Sequence, residues 1–339
     1  MRILITTPSL RVPHGGLRVL NDWASYLAKY HQVTLLVNSG ELECKWQTIS
    51  PAIQLTKQKS AISRADIVII GSPHAIRLTK LVKPHQRCFI FLQNIEHLFA
   101  PLNPKFIEKC NETYNSEFPI ICYSEWNAKY LQNEVRRKGP IYYIPQGVNL
   151  TDFPREISLK QKTKTVLVEG WECTNPTKDV MNLGPKVAQK LKQEGYRVIA
   201  YSQLPLQTLP DVPDIYVQSP SLELLNNYYR QADILIKATR YDARSTSPLE
   251  AMTKGTPTVR AIIEGDDDLI HGVNSIRTTY DFEPLYNGAK QLLENDTLRD
   301  LLSSNCLEYV KDCDWNVVIP KVEKLIVKDI IAPGIRRIQ

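Results

Sequence analysis

Short apolar runs alternate with helix-period stretches along the chain. Arg2 to Thr6 reads as a buried strand and Val33-Thr34-Leu35-Leu36-Val37 as the next. Between them Leu17, Leu20, Trp23, Ala24 and Leu27 recur at helical spacing and predict a helix over about 17–30. Further strand patterns occupy 66–70, 88–92, 120–124, 165–170, 197–201, 233–237 and 259–263. Helical stretches fall at Glu125 to Val135 behind the capping Ser124, up to about Gln193, and at Ser221 to Gln231. Phe282 to Leu293, Asp296 to Val310 and Trp315 to Ile330 complete them. Strand, glycine loop, helix and strand make a βαβ unit, whose right-handed crossover predicts an α/β fold with doubly wound parallel sheets. A length of 339 residues favours two domains. Pro145, Pro154 and the basic stretch Lys160 to Lys164 read as the linker, dividing 1–150 from 151–314.

Composition narrows the function classes. The chain is 43% hydrophobic and carries 42 Lys/Arg against 36 Asp/Glu, a net of +6. That charge suits an anionic small substrate or an anionic membrane surface, and it is too weak to argue for nucleic acid. The basic residues form no continuous stripe with interleaved aromatics, which also counts against nucleic acid. Arg77, Lys80, Lys83 and Arg87 are either a solvated face or a peripheral contact with an anionic membrane. Seven cysteines with no Cys-x-x-Cys point to a reducing compartment without a zinc knuckle. No segment is long and apolar enough to span a bilayer, and Met1 to Ile5 is strand-like without the apolar region of a signal peptide. The expected location is cytoplasmic, with peripheral contact on the inner membrane face left open.

The densest polar chemistry lies in Tyr241-Asp242-Ala243-Arg244-Ser245-Thr246-Ser247-Pro248-Leu249-Glu250-Ala251-Met252, read as a strand end, a polar loop and a helix. Ser247 is the expected N-cap, with Pro248 at the first helical position. Asp242 and Glu250 then flank a helix start whose N–H groups favour an anion. The same residues also fit a Ser247–Glu250 capping box with no ligand at all. Gly15-Gly16 allows close backbone approach to a ligand at a helix start, or serves only a turn. Gln93, Glu96 and His97 follow a strand end, where open α/β sheets bind ligands; His97 fits equally a satisfied surface or core histidine. The run Glu264-Gly265-Asp266-Asp267-Asp268 offers carboxylates without a pattern of further oxygen ligands, so no metal site is expected there.

The Asp242/Glu250 spacing resembles the paired-acid motif of retaining GT-B glycosyltransferases, in particular glycosyltransferase family 4. Gly15-Gly16, Ile144-Pro145-Gln146-Gly147-Val148-Asn149 with Phe153, and Leu225-Tyr229-Ala232-Asp233 are similar to that family's segments. Gln93 to Phe99 with Thr113-Tyr114, and Ser245 to Glu250, look most like the rhamnosyltransferase-type branch. The resemblance implies two Rossmann-like domains facing across a cleft. It places the acceptor on the first domain, near Gln93, Glu96 and His97, and the nucleotide-sugar donor on the second. It also implies a last helix, about 315–339, packing back on the first domain. Donor-binding residues would be Gly15, Gly16, Lys178, Arg240, Asp242, Arg244, Ser245, Thr246, Ser247 and Glu250. Lys178 and Arg244 or Arg240 would neutralise the diphosphate, since Trp171 stands where the family has an arginine. The implied reaction moves a sugar from a UDP or dTDP sugar to a glycan or lipid-linked acceptor, with no cofactor, no obligatory metal and no assigned catalytic nucleophile. A sugar-nucleotide epimerase of the same fold and a non-catalytic nucleotide-sugar or glycan binder are the alternatives.

Overall fold

The computed structural model describes residues 1–11, 15–99, 103–156, 163–170, 181–202 and 212–338. The chain divides into two units, Met1–Gly147 with Trp315–Gln339, and Val148–Asp314. The first holds strands β1 (Arg2–Thr7), β2 (Gln32–Val37), β3 (Ile53–Thr56), β4 (Ile67–Ile70), β5 (Arg87–Leu92), β6 (Ile120–Cys122) and β7 (Ile141–Tyr143). The second holds β8 (Thr165–Glu169), β9 (Arg197–Ser202), β10 (Ile215–Gln218), β11 (Ile234–Lys237), β12 (Thr258–Ala261) and β13 (Ser275–Thr278). A last strand, β14 (Arg336–Ile338), pairs antiparallel with β7 at the edge of the first sheet; the other pairings are parallel. The helices are α1 (Gly15–Leu27), α2 (Pro104–Tyr114), α3 (Glu125–Asn133), α4 (Leu183–Gln193), α5 (Leu222–Gln231), α6 (Thr246–Met252), α7 (Phe282–Glu294), α8 (Asp296–Tyr309) and α9 (Trp315–Lys328).

Both sheets use one winding rule. The first runs β3-β2-β1-β4-β5-β6-β7, and the second β10-β9-β8-β11-β12-β13. In each, the first strand sits centrally and the chain winds outward one way, then returns to wind the other. This is the Rossmann order, and it opens a crevice at the carboxyl ends of the two central strands. The crevices lie beyond β1 and β4 in the first unit and beyond β8 and β11 in the second.

Local chemistry explains most boundaries. Ser124 accepts from the Trp126 amide, Ser221 from Leu224, Asn103 from Phe106 and Asn295 from Leu298. The strands were legible because both faces are covered: Ile67 to Ile70 and Ile234 to Lys237 are buried throughout. The strand patterns missed β3, β10 and β13, each four residues long and partly exposed, and also β7 and β14, each only three residues long. In the first unit α9 lays Trp315, Val318, Ile319, Val322, Leu325 and Ile326 into the same core as Trp23 of α1 and Phe91 of β5.

Candidate functional site

At the crevice of the second unit, β8 ends in Glu169 and β11 in Lys237. A lysine closing the run Ile234-Leu235-Ile236 is buried, and its ammonium donates to Glu169 and, at 2.9 Å, to the Ser247 hydroxyl. Ser247 also donates to Glu169, and Asp242 lies 3.9 Å from the ammonium. The strand-end carboxylate, the lysine and the first turn of α6 thus form one knot. Arg260, at 0% exposure on β12, supplies a second cation. Its guanidinium donates to Ser245 at 2.9 Å and to Thr239 at 3.0 Å, meets Asp266 at 2.8 Å, and lies 3.8 Å from Asp242.

The start of α6 differs from the sequence expectation. Ser245 is the N-cap, and Ser247 and Pro248 lie inside the helix. Ser245 makes no side-chain cap bond, because its hydroxyl donates to Asp242 and accepts from Arg260. The Ser247–Glu250 capping box is therefore absent. Glu250 is 2% exposed and accepts a 3.0 Å bond from Tyr229, whose hydroxyl is 2.9 Å from that of Tyr201. Burial beside Tyr201 and Glu250 holds the Tyr229 hydroxyl well above its ordinary pKa, so it stays a donor.

Arg244 sits in the left-handed region at φ 39°, a conformation costly for a non-glycine residue. Its side chain is buried and grips Asp268 through two guanidinium nitrogens, Nε at 2.6 Å. Tyr309 donates to the same carboxylate at 2.6 Å. Arg244, expected to neutralise a diphosphate, thus has a carboxylate partner from the acidic run beyond β12. Arg240 is exposed, its guanidinium 5.5 Å from the Tyr241 ring centroid. Thr246 opens the helix, half-buried. Lys178 lies outside the described residues.

The acidic run has a structural account. Asp266 meets Arg260 and Asp268 meets Arg244, so these two carboxylates are counterions of buried arginines. Burial raises the Asp266 carboxyl more than Arg260 lowers it. Among the described residues no group of three or more His, Cys, Asp or Glu side chains is placed to hold a metal ion. Gly265 docks this run on the loop: the Arg244 amide donates to its carbonyl at 2.7 Å, and a Cβ there would stand 2.2 Å from the Asp242 carbonyl oxygen.

The first unit collects its own candidates at the ends of β1 and β5. Gly15 and Gly16 open α1. The Gln93 amide donates to the Gly16 carbonyl at 3.0 Å, and its Oε1 occupies the place a Cβ on Gly16 would need, 2.0 Å away. A side chain at position 16 would have to displace the Gln93 amide, so the absence of a Cβ there permits this contact between residues 77 apart in sequence. His97 has a tyrosine hydroxyl at each ring nitrogen, Tyr114 at 3.2 Å and Tyr130 at 3.3 Å, which satisfies it inside the fold. Burial pulls its pKa down and favours the neutral ring.

Glu96, half-buried as a residue, has its carboxyl pushed up to about 8 by loss of water around it. The carboxyl therefore gains a proton on folding at neutral pH. Its contribution to stability is fully present below the unfolded value of 4.5 and is lost as pH rises through about 8. Urea unfolding across that window should show the parent losing up to about 1.4 kcal/mol per pH unit relative to Glu96→Gln. Equal slopes for the two proteins would refute the assignment.

Sequence reasoning missed Glu169, Lys237, Arg260, Tyr201 and Tyr229. The two cations carried a readable signal, since a Lys or Arg inside an otherwise apolar parallel strand is rarely buried without a partner. Tyr201 read only as the end of a strand, and Tyr229 only as part of a family-like helical segment.

The sequence matches no family model and no curated protein. Solved structures do match over nearly the full length. Sucrose-phosphate synthase from Thermosynechococcus elongatus superposes with a TM-score of 0.80 at 13% identity, covering 96% of this chain and 98% of that one. HepE from Anabaena, solved with UDP-glucose, gives 0.75 at 14% identity over 97% and 99%. WaaG, a glycosyltransferase involved in lipopolysaccharide biosynthesis, gives 0.72 at 14% identity over 96% and 99%. The chain has the GT-B fold. In GT-B terms, the Glu169–Lys237 knot and the Asp242 to Glu250 segment stand at the switch point of the second Rossmann-like sheet, and Gly16 and Gln93 near that of the first.

Proposed function

We propose that this chain transfers a sugar from a nucleoside diphosphate sugar, a UDP or dTDP sugar, to a hydroxyl of a glycan or lipid-linked acceptor with retention of anomeric configuration. One observation carries the reading. The segment bearing Asp242 and Glu250 lies where the strand order reverses in the second sheet, at the place open α/β sheets bind nucleotides. Complexes of HepE with UDP-glucose and with UDP and glucose give this ligand class a precedent on the same fold.

In this reading Asp242 and Glu250 accept hydrogen bonds from sugar or ribose hydroxyls, with Tyr229 holding the Glu250 carboxylate in place. The first-turn backbone of α6, Arg240 and Lys178 meet the diphosphate, whose departure needs neutralising charge. Attack occurs on the face the diphosphate leaves, and a leaving phosphate oxygen takes the acceptor proton, so no carboxylate serves as base. The acceptor is aligned from the first unit by Gln93 and Glu96. The charge inventory favours a second reading, a non-catalytic binder. Arg244 and Arg260 are both matched by carboxylates, which leaves less cationic charge for a leaving group.

A thermal-shift panel of nucleoside diphosphates and their sugars tests the proposal. A ligand of the folded state at a hundredfold excess over Kd adds about 2.7 kcal/mol of stability. The shift should appear with one base class and vanish in Glu250→Gln, and sugar release from the shifting donor should follow. Binding without any turnover selects the non-catalytic reading, epimer formation without an acceptor selects an isomerase, and no shift with any nucleoside diphosphate ends all three.

A further inference from the structure

Two strand ends at the crevice of the second unit carry opposite charges. β8 and β11 run parallel with Val168 beside Ile236, so the next residues, Glu169 and Lys237, come side by side where both strands stop. A lysine closing a buried apolar strand needs a counterion, and Glu169 supplies it. The Lys237 ammonium and the Ser247 hydroxyl both donate to the same oxygen of that carboxylate, Oε2. The side chain is thereby fixed in direction as well as in charge.

Exposure separates Glu169 from the acids around it. Its side chain keeps 20% of its surface open, against 11% for Asp242 and 2% for Asp266, and Glu250 is 2% exposed as a residue. Of these four carboxylates it is the one a ligand reaches most easily. The ammonium that holds it also lies 3.9 Å from Asp242, so two acids from separate segments meet at one cation.

The chemistry of that pair restricts its ligand. An ionised carboxylate only accepts hydrogen bonds, so it selects hydroxyl or N–H donors. Phosphate oxygens are acceptors and carry the same sign of charge, so they are not what Glu169 holds. Because Lys237 cancels its charge, Glu169 can still lie beside a diphosphate with little repulsion. A nucleoside diphosphate sugar offers hydroxyls in two places, the ribose and the transferred sugar. With Glu250 taken for the ribose, Glu169 and Asp242 remain for the sugar.

We infer that Glu169 is a specificity-determining residue: together with Asp242 it accepts hydrogen bonds from neighbouring hydroxyls of the transferred sugar, while Lys237 holds both carboxylates in place. This role rests on the proposed sugar transfer and adds to it the group that selects which sugar is carried. A site built to bond a hydroxyl discriminates strongly against an analogue that lacks it, because its own polar group is then left unpaired.

The full chain is titrated calorimetrically with UDP and dTDP, each bare and as its glucose, galactose and N-acetylglucosamine conjugates. For the conjugate the parent binds most tightly, Glu169→Gln should weaken binding about 10- to 100-fold, as for one lost hydrogen bond to a charged group. The bare diphosphate should change by no more than about twofold. Monodeoxy analogues of that conjugate then locate the contact: parent and variant should bind equally the one lacking the hydroxyl that Glu169 holds. Glu169→Gln leaves the Lys237 ammonium without its counterion, so Glu169→Gln with Lys237→Met, which removes both charges, is measured beside it and should show the same selectivity. Equal losses for conjugate and bare diphosphate, no loss for either, or a loss that every monodeoxy analogue shares overturn this role of Glu169 and leave the proposed function standing. A parent that binds none of these nucleotides refutes the proposed function itself.

Discussion

Arg260→Leu should be the most damaging single change outside the apolar cores, lowering the free energy of unfolding by about 3–5 kcal/mol. The guanidinium is fully enclosed and touches Ser245, Thr239, Asp266 and, more distantly, Asp242. Removing it strands carboxylates in a place with little water, and leucine offers them nothing. The loss should shrink as pH falls. Asp266 already binds its proton more tightly than a free carboxyl, and once protonated it no longer needs a counterion. Urea unfolding of both proteins at acid and neutral pH checks the magnitude and its direction with pH. A loss below about 1 kcal/mol at neutral pH would mean that the cluster relaxes or hydrates when opened.

Gly265→Ala should separate binding from folding. An added Cβ would stand 2.2 Å from the Asp242 carbonyl oxygen and 2.7 Å from the Ala243 Cα, both backbone atoms that no rotamer change can move aside. The loop must shift, breaking the 2.7 Å bond from the Arg244 amide to the Gly265 carbonyl and moving Asp242 away from Lys237 and Arg260. A stability loss of about 1–3 kcal/mol is expected, with disappearance of any thermal shift the parent gives with nucleoside diphosphates. A variant that keeps the parent's ligand response would show that the Asp242 loop is not part of the binding surface.

The sequence made the frame legible because buried parallel strands are written as continuous apolar runs and α/β helices as a clear 3.6-residue period. Ile67 to Ile70 and the Leu17 to Leu27 stripe are examples. Strand order could not be read that way. Neither could β14, three residues that pair with β7, nearly two hundred positions earlier. At the candidate site, Asp242, Ser245, Ser247 and Glu250 were found as a local pattern, but their partners come from elsewhere. Glu169 lies on β8, Arg260 on β12 and Tyr229 on α5. The misplaced cap has the same origin. Ser247 has the composition of an N-cap, yet a buried lysine and glutamate claim its hydroxyl, and the helix begins two residues earlier.

The position of α9 has a consequence for biosynthesis. The first unit is interrupted: its opening 147 residues are made, then the whole of the second unit, and only afterwards the helix whose Val318, Ile319, Val322 and Leu325 complete the earlier core. A nascent chain therefore carries an unsealed apolar surface on its leading half while the trailing half can already fold from contiguous sequence. Until the ribosome releases that final stretch, the emerging protein is a natural client for chaperones, and any premature stop before Trp315 leaves the surface open for good.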